Sequence, residues 1–303
     1  MAYSKGSETI AFNPVHRTDT YNFFVAPLKK RHYYYLLSGL PDMALEQSKV
    51  PLTLSELMEA FRLSLHPEDL QLARLLLLPA DNRNLMALLQ KTEAAWKPEG
   101  QFSRQTMEEG LEEPGLLPSY MNRFYRAYKE DAPLWPAMSW ENQLARLTHE
   151  YLMAHTTGFL KQWFTFENYL KNILSAWNIR EYKLAADGQF IGENVVTEAL
   201  RKSHARDFGL ALEVPFLDKL MHALEQDKLL EREKALARIK WNYIDELNTF
   251  NYFTVEAALG YLLKWIMLDR WTRLDTQRGQ EVIGNLMDRL ENSIEIPQTF
   301  ALA

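Results

Sequence analysis

Two histidines stand six residues apart in HEYLMAH, His149 to His155, and the first is followed by Glu150. A zinc-binding helix of the HExxH type needs its second imidazole four residues on, because residues i and i+4 share a face. At a spacing of six the two rings point to different sides, so they do not share a metal. RDFG, Arg206 to Gly209, contains the kinase magnesium-binding triplet. That triplet works with a glycine-rich phosphate loop, a strand lysine and an HRD segment, and the chain has none of these. It also lacks a GxxxxGKS/T phosphate loop and a GxSxG nucleophile turn. The densest acidic run is MEEGLEE, Met107 to Glu113. Catalytic carboxylate pairs need a defined separation and different environments, and a run at one helix end reads instead as a solvated surface. The absence of cysteine excludes disulfides, thiolate catalysis and zinc–thiolate sites. We therefore assign no catalytic, cofactor-binding or metal-ligating residue, expect no cofactor, and expect a protein that is not an enzyme.

Aromatic residues remain as the other chemically loaded group. RHYYYLLSGLPD, Arg31 to Asp42, carries three consecutive tyrosines. FLKQWFTFENYL, Phe159 to Leu170, crowds Phe159, Trp163, Phe164, Phe166 and Tyr169 into one stretch. Such residues pack helix cores or form protein-binding faces, where Tyr and Trp are enriched. Base stacking is a poor third reading, because basic residues are not interleaved there. Net charge is −6, which disfavours non-specific nucleic-acid binding. Lys29-Lys30-Arg31-His32 is the single tight basic cluster, and it reads as a solvated tether.

The elements that carry these residues are helical. With 12 Gly and 13 Pro in 303 residues, long stretches run without a breaker. HPEDLQLARLLLL, His66 to Leu78, puts Pro67 at a helix start with acids in the first turn. Asp227 to Phe250 carries Leu229, Leu236, Ile239, Tyr243 and Leu247 on one helical stripe. Thr254 to Trp271 is more apolar and predicts a well-buried helix. The best alternating strand pattern is short, around Tyr33 to Leu37. No apolar run approaches 18 residues and the first residues lack a signal-peptide pattern, so we expect a cytoplasmic protein. Residues 1–32 read as an N-terminal extension.

The chain also repeats itself. EGQF, Glu99 to Phe102, returns as DGQF, Asp187 to Phe190, 88 residues on. RNLMALL, Arg83 to Leu89, returns as KNILSAW, Lys171 to Trp177, at the same offset. FTFENYLKNIL, Phe164 to Leu174, matches FTVEAALGYLL, Phe253 to Leu263, and RGQ at Arg278 to Gln280 echoes DGQ. A unit of this length is too long for a short helical solenoid repeat. The pattern predicts three similar helical bundles: 33–114, 115–213 and 214–303.

The stretch from Phe250 to Leu290 resembles the end of the C subunit of A-type and V-type rotary ATPases, known as the d subunit in the eukaryotic complex. The residues that carry the resemblance are Phe253, Thr254, Glu256, Gly260, Tyr261, Leu262, Asp269 and Arg273, followed by Arg278-Gly279. KNIL, Lys171 to Leu174, and DGQF look like that family's Asn-bearing helix and Gly turn. YYYLLSGLPD, Tyr33 to Asp42, and DNRNLMALL, Asp81 to Leu89, are closer still to an uncharacterised bacterial family encoded among V-type ATPase subunits. The resemblance covers about residues 33–295. Trp265 and Trp271 depart from it, standing where the rotary-ATPase family has closely spaced Glu and Arg.

The resemblance implies an all-α fold of three bundles in a pseudo-threefold, funnel-like arrangement. It implies a non-catalytic central-stalk subunit that links the membrane rotor ring to the axle for ion transport. Its partners would be other ATPase subunits, which would hold it at the inner face of the cell membrane through protein contacts alone. A helical scaffold or assembly protein unrelated to rotary motors is the alternative. Partner-contact residues are not legible in the sequence.

Overall fold

A computed structural model describes residues 31–92 and 96–273. Nearly all of the N-terminal extension and residues 274–303, with the Arg278-Gly279 turn, lie outside the described residues. Twelve helices and no strand occur among the described residues, so the all-α expectation holds.

The first five helices are α1 (Tyr34–Gly39), α2 (Leu54–Ser64), α3 (Pro67–Leu75), α4 (Leu78–Leu89) and α5 (Arg104–Glu112). Then come α6 (Ser119–Lys129), α7 (Trp140–His155), α8 (Gly158–Tyr182) and α9 (Val195–Lys202). The chain continues through α10 (Leu217–Leu224), α11 (Leu229–Leu247) and α12 (Val255–Arg273).

Local chemistry explains most of the starts. A free helix N-terminus leaves backbone N–H groups without partners, and short polar side chains satisfy them. Thr53 and Glu56 form a reciprocal capping box on α2. Ser103 caps α5, Ser139 caps α7 and Asn194 caps α9. Pro67 opens α3 as expected, with Glu68 and Asp69 in the first turn. The leucine run does not continue one helix. The chain bends after Leu75 and restarts with Pro79 in the first turn of α4. α8 ends at Lys183, which adopts a left-handed φ of 52°.

One segment differs from its sequence pattern. Tyr33 to Leu37 alternates like a strand, yet it opens α1, with the Leu37 N–H bonded to the Tyr33 carbonyl at 3.0 Å. Contacts far away in sequence decide this. The Tyr33 N–H donates to the Phe253 carbonyl at 2.7 Å, and the Tyr33 phenol binds Asp69. Isolated local patterns of this length are too weak to resist such anchoring.

One apolar core runs through the molecule. α8 supplies its centre: Phe159, Leu160, Trp163, Phe164, Phe166, Leu170 and Ile173 are all buried. Each such side chain contributes roughly 1.5–3 kcal/mol by leaving water. The crowded aromatics of this stretch are therefore core. α8 reaches α11 through the Phe166 and Tyr243 rings, stacked at 4.0 Å, and through the Lys240–Glu167 ion pair at 2.8 Å. On α11, Leu236 and Ile239 are buried, Tyr243 and Leu247 half-buried, and Leu229 exposed. α12 is the well-buried helix expected, with Val255, Leu259, Leu262, Leu263, Trp265 and Leu268 inside.

The last described helix also closes on the first described residues. The Tyr261 hydroxyl donates to the Pro41 carbonyl at 3.0 Å. The Trp265 indole N–H donates to the Leu52 carbonyl at 2.7 Å. Arg238 pairs with Glu46 at 2.6 Å, and Arg273 pairs with Glu99. No helix among the described residues is long and apolar enough to cross a membrane.

Candidate functional site

The residues that suggested enzyme chemistry are placed apart. His149 is half-buried near Gly192, and burial pushes its imidazole pKa down. The His155 ring stacks on Tyr151 at 4.0 Å, and its Nδ1 donates to the Tyr151 carbonyl at 2.7 Å. No group of three or more His, Asp or Glu side chains among the described residues is placed to hold a metal. RDFG is a capped turn: Asp207 accepts the Gly209 N–H at 3.0 Å, and Phe208 is buried under the Arg180 guanidinium. In MEEGLEE, Met107, Gly110 and Leu111 face the core. Glu112 faces out and accepts from Tyr125 and Lys129.

The repeated sequence elements do come together, as a buried polar device. Asn84 and Asn172 are both fully buried. The Asn84 carbonyl oxygen accepts the Lys97 N–H at 2.6 Å, and its amide donates to the Lys97 carbonyl at 2.8 Å. Asn172 does the same to Ile191, at 2.8 and 2.9 Å. A carboxamide has one donor face and one acceptor face, so it substitutes for a peptide partner in a loop without sheet or helix bonds. Each clamp holds a Gly turn, and the Phe that ends each GQF, Phe102 or Phe190, is buried.

Glycine is required at both turns. At Gly100 a Cβ would lie 2.6 Å from Asp81 Oδ1 and 2.6 Å from Asn84 Nδ2. At Gly188 a Cβ would overlap the Ala137 carbonyl, and φ is +71°. Gly188→Ala is therefore expected to cost about 2–3 kcal/mol, read as a lower urea midpoint; an unchanged midpoint would contradict the geometry. Asp81 beside the first turn is fully buried. One of its oxygens accepts the Phe102 N–H at 3.2 Å and the other has no hydrogen-bond partner. Burial pushes its pKa up to about 7. Nothing in the sequence marked Asp81, Asn84 and Asn172 as buried polar groups, though the repeat singled out the two asparagines.

The outer surface holds a different feature. The Tyr34 ring packs on Phe253 at 4.7 Å where the first described residues meet the start of α12. Around that junction Tyr34, Tyr35, Phe250 and Tyr252 are 58%, 93%, 86% and 71% exposed. Single exposed apolar residues are ordinary, but exposed aromatic rings on both of the segments that meet at this junction mark a candidate interaction surface. This edge, with no catalytic cluster beside it among the described residues, is the candidate functional site.

No curated protein and no solved structure matches the chain. A family model described as "Protein of unknown function (DUF2764)" matches residues 30–294. That span contains the clamps, the Gly turns and the aromatic edge, and this chain belongs to the DUF2764 family.

Proposed function

We propose that the protein is a non-catalytic coupling subunit of a bacterial V/A-type rotary ATPase. Its body would be three similar helical bundles, 33–114, 115–213 and 214–303, in a pseudo-threefold, funnel-like arrangement. It would join the membrane rotor ring to the axle and lie on the inner face of the cell membrane through those partners.

The observation that carries this reading is the use made of the residues that resemble the rotary-ATPase family. Tyr261 and Phe253 tie α12 to Pro41 and Tyr33, while Gly260 lets Asn248 approach closely. Lys171 to Leu174 and DGQF supply the second clamp and its Gly turn. A torque-transmitting part needs a rigid body and a docking surface, not a reactive centre. The ties between the two ends of the described chain supply the first, and the aromatic edge supplies the second.

Affinity purification of the tagged native protein from gently solubilised membranes tests the reading. The catalytic, axle and ring subunits are expected in fixed proportion. A Tyr35→Glu, Phe250→Glu, Tyr252→Glu variant is expected to lose them while keeping the parent's circular dichroism, because these side chains are exposed. Recovery of the protein without any ATPase subunit sinks the proposal and favours the scaffold reading.

A further inference from the structure

A cleft of about 670 Å³ opens along α6, between the loops before and after it and the end of α7. That volume lies in the range of small-molecule sites. Its walls are largely apolar, formed by Leu117, Ala127, Leu134 and the Tyr151 ring. Arg123 and Arg126 also line it. They stand three residues apart on α6 and so share one helix face.

Neither arginine has a side-chain partner among the described residues, and both are exposed. This contrasts with Arg31, Arg146, Arg201, Arg238 and Arg273, each of which meets a carboxylate. Arg74 and Arg83 also lack a partner, but they do not line the cleft. No acid stands in the first turn of α6. Glu130 is the one carboxylate on the cleft wall, and it forms no ion pair among the described residues.

Two like charges one turn apart repel each other, and an anion between them removes that repulsion. Guanidinium groups present paired N–H donors that match phosphate and carboxylate oxygens. A phosphate monoester carries a charge of about −1.5 to −2 at neutral pH, which matches two arginines better than one carboxylate does. We propose that this cleft binds a phosphate monoester carried on a small apolar body. The phosphate sits at Arg123 and Arg126, and the body lies against Leu117, Ala127 and Leu134. The site is on a different helix pair from the aromatic edge and does not depend on the coupling role.

Calorimetric titration of the full chain at low ionic strength tests this, with phenyl phosphate and inorganic phosphate as probes. Phenyl phosphate is expected to bind saturably at one site, about tenfold more tightly than inorganic phosphate. Arg123→Gln and Arg126→Gln are each expected to weaken phenyl phosphate by about tenfold or more. Arg83→Gln, outside the cleft, leaves the affinity unchanged. Because both cleft arginines are exposed, the variants keep the parent's melting temperature, so a loss of binding is not a loss of fold. The proposal is overturned by the absence of saturable binding, or by Arg123→Gln and Arg126→Gln proteins that titrate like the parent. Equal weakening by Arg83→Gln overturns it too, since the binding is then diffuse charge attraction. Equal affinity for the two probes overturns the role of the apolar wall.

Discussion

Replacing Asn172 with alanine is expected to lower the stability of the protein by about 3–5 kcal/mol. The side chain is fully buried, and it holds the N–H and carbonyl of Ile191 at 2.8 and 2.9 Å. Its amide also donates to Asn168 Oδ1 at 3.0 Å. Alanine leaves the Ile191 N–H without a partner in a place water does not reach, since Ile191 is itself buried. An orphaned buried donor costs about 1–3 kcal/mol, and the space left by the carboxamide adds a cavity term. The Ile191 carbonyl keeps one bond, from Asn168 Nδ2 at 3.1 Å, which limits the loss. Asn84→Ala is the matched comparison. Lys97 is only half-buried, so water replaces part of that clamp and a smaller loss of about 2 kcal/mol is expected. Urea denaturation of both variants measures the two numbers. If Asn172→Ala costs less than Asn84→Ala, burial of the clamped peptide is not what sets the energy.

Asp81→Asn is expected to stabilise the protein most at pH 8 and much less at pH 5. Burial holds the Asp81 carboxyl at a pKa of about 7, against an ordinary carboxylate pKa near 4. Between those values the folded state keeps a proton that the unfolded chain has released. Stability contributed by the protonated form is thus complete below about pH 4 and is lost as pH rises through about 7. Above pH 7 the folded protein carries a buried carboxylate with one unpartnered oxygen, a burden of about 4 kcal/mol if the whole shift is realised. The Phe102 N–H bonds the carboxylate and, with the nearby Gln101 side chain and then its backbone amide, opposes the shift. Across from it, the buried Tyr120 phenol donates to Asn82 at 2.7 Å and stays neutral, its pKa held well above the usual value. Asparagine keeps an acceptor for the Phe102 N–H and carries no charge. Denaturation midpoints of parent and variant at pH 5 and pH 8 decide the matter. An equal difference at both pH values would falsify the titration of Asp81 as its cause.

Much of the local architecture was written in the sequence. Sparse Gly and Pro and the apolar spacing of Thr254 to Trp271 led to α12, and Pro67 with its following acids marked the start of α3. The echo of GQF and of the preceding Asn across 88 residues pointed to a shared unit. What that unit does was not legible. Asn84 clamps a residue three before its turn glycine, and Asn172 clamps one three after. Equal sequence positions thus meet different backbone, because the loops between helix and turn differ in path. The tyrosine run was legible as a candidate surface, but Phe250 and Tyr252 were not, and neither was the pairing of Arg123 and Arg126 on one cleft.

Spacing along a helix determines which side chains share a face. It does not determine which face meets another helix. Trp265 lies inside because it reaches the Leu52 carbonyl, 213 residues earlier, while Phe250 lies outside because nothing covers it among the described residues. Asp81 holds a proton near neutrality because a loop folded over it removes water from one carboxylate oxygen. Apart from α1, whose opening residues are held by distant contacts, helix content was therefore set by short-range chemistry. Burial, the clamped turns and the exposed aromatic edge were decided by long-range contacts, whose partners no local pattern identifies.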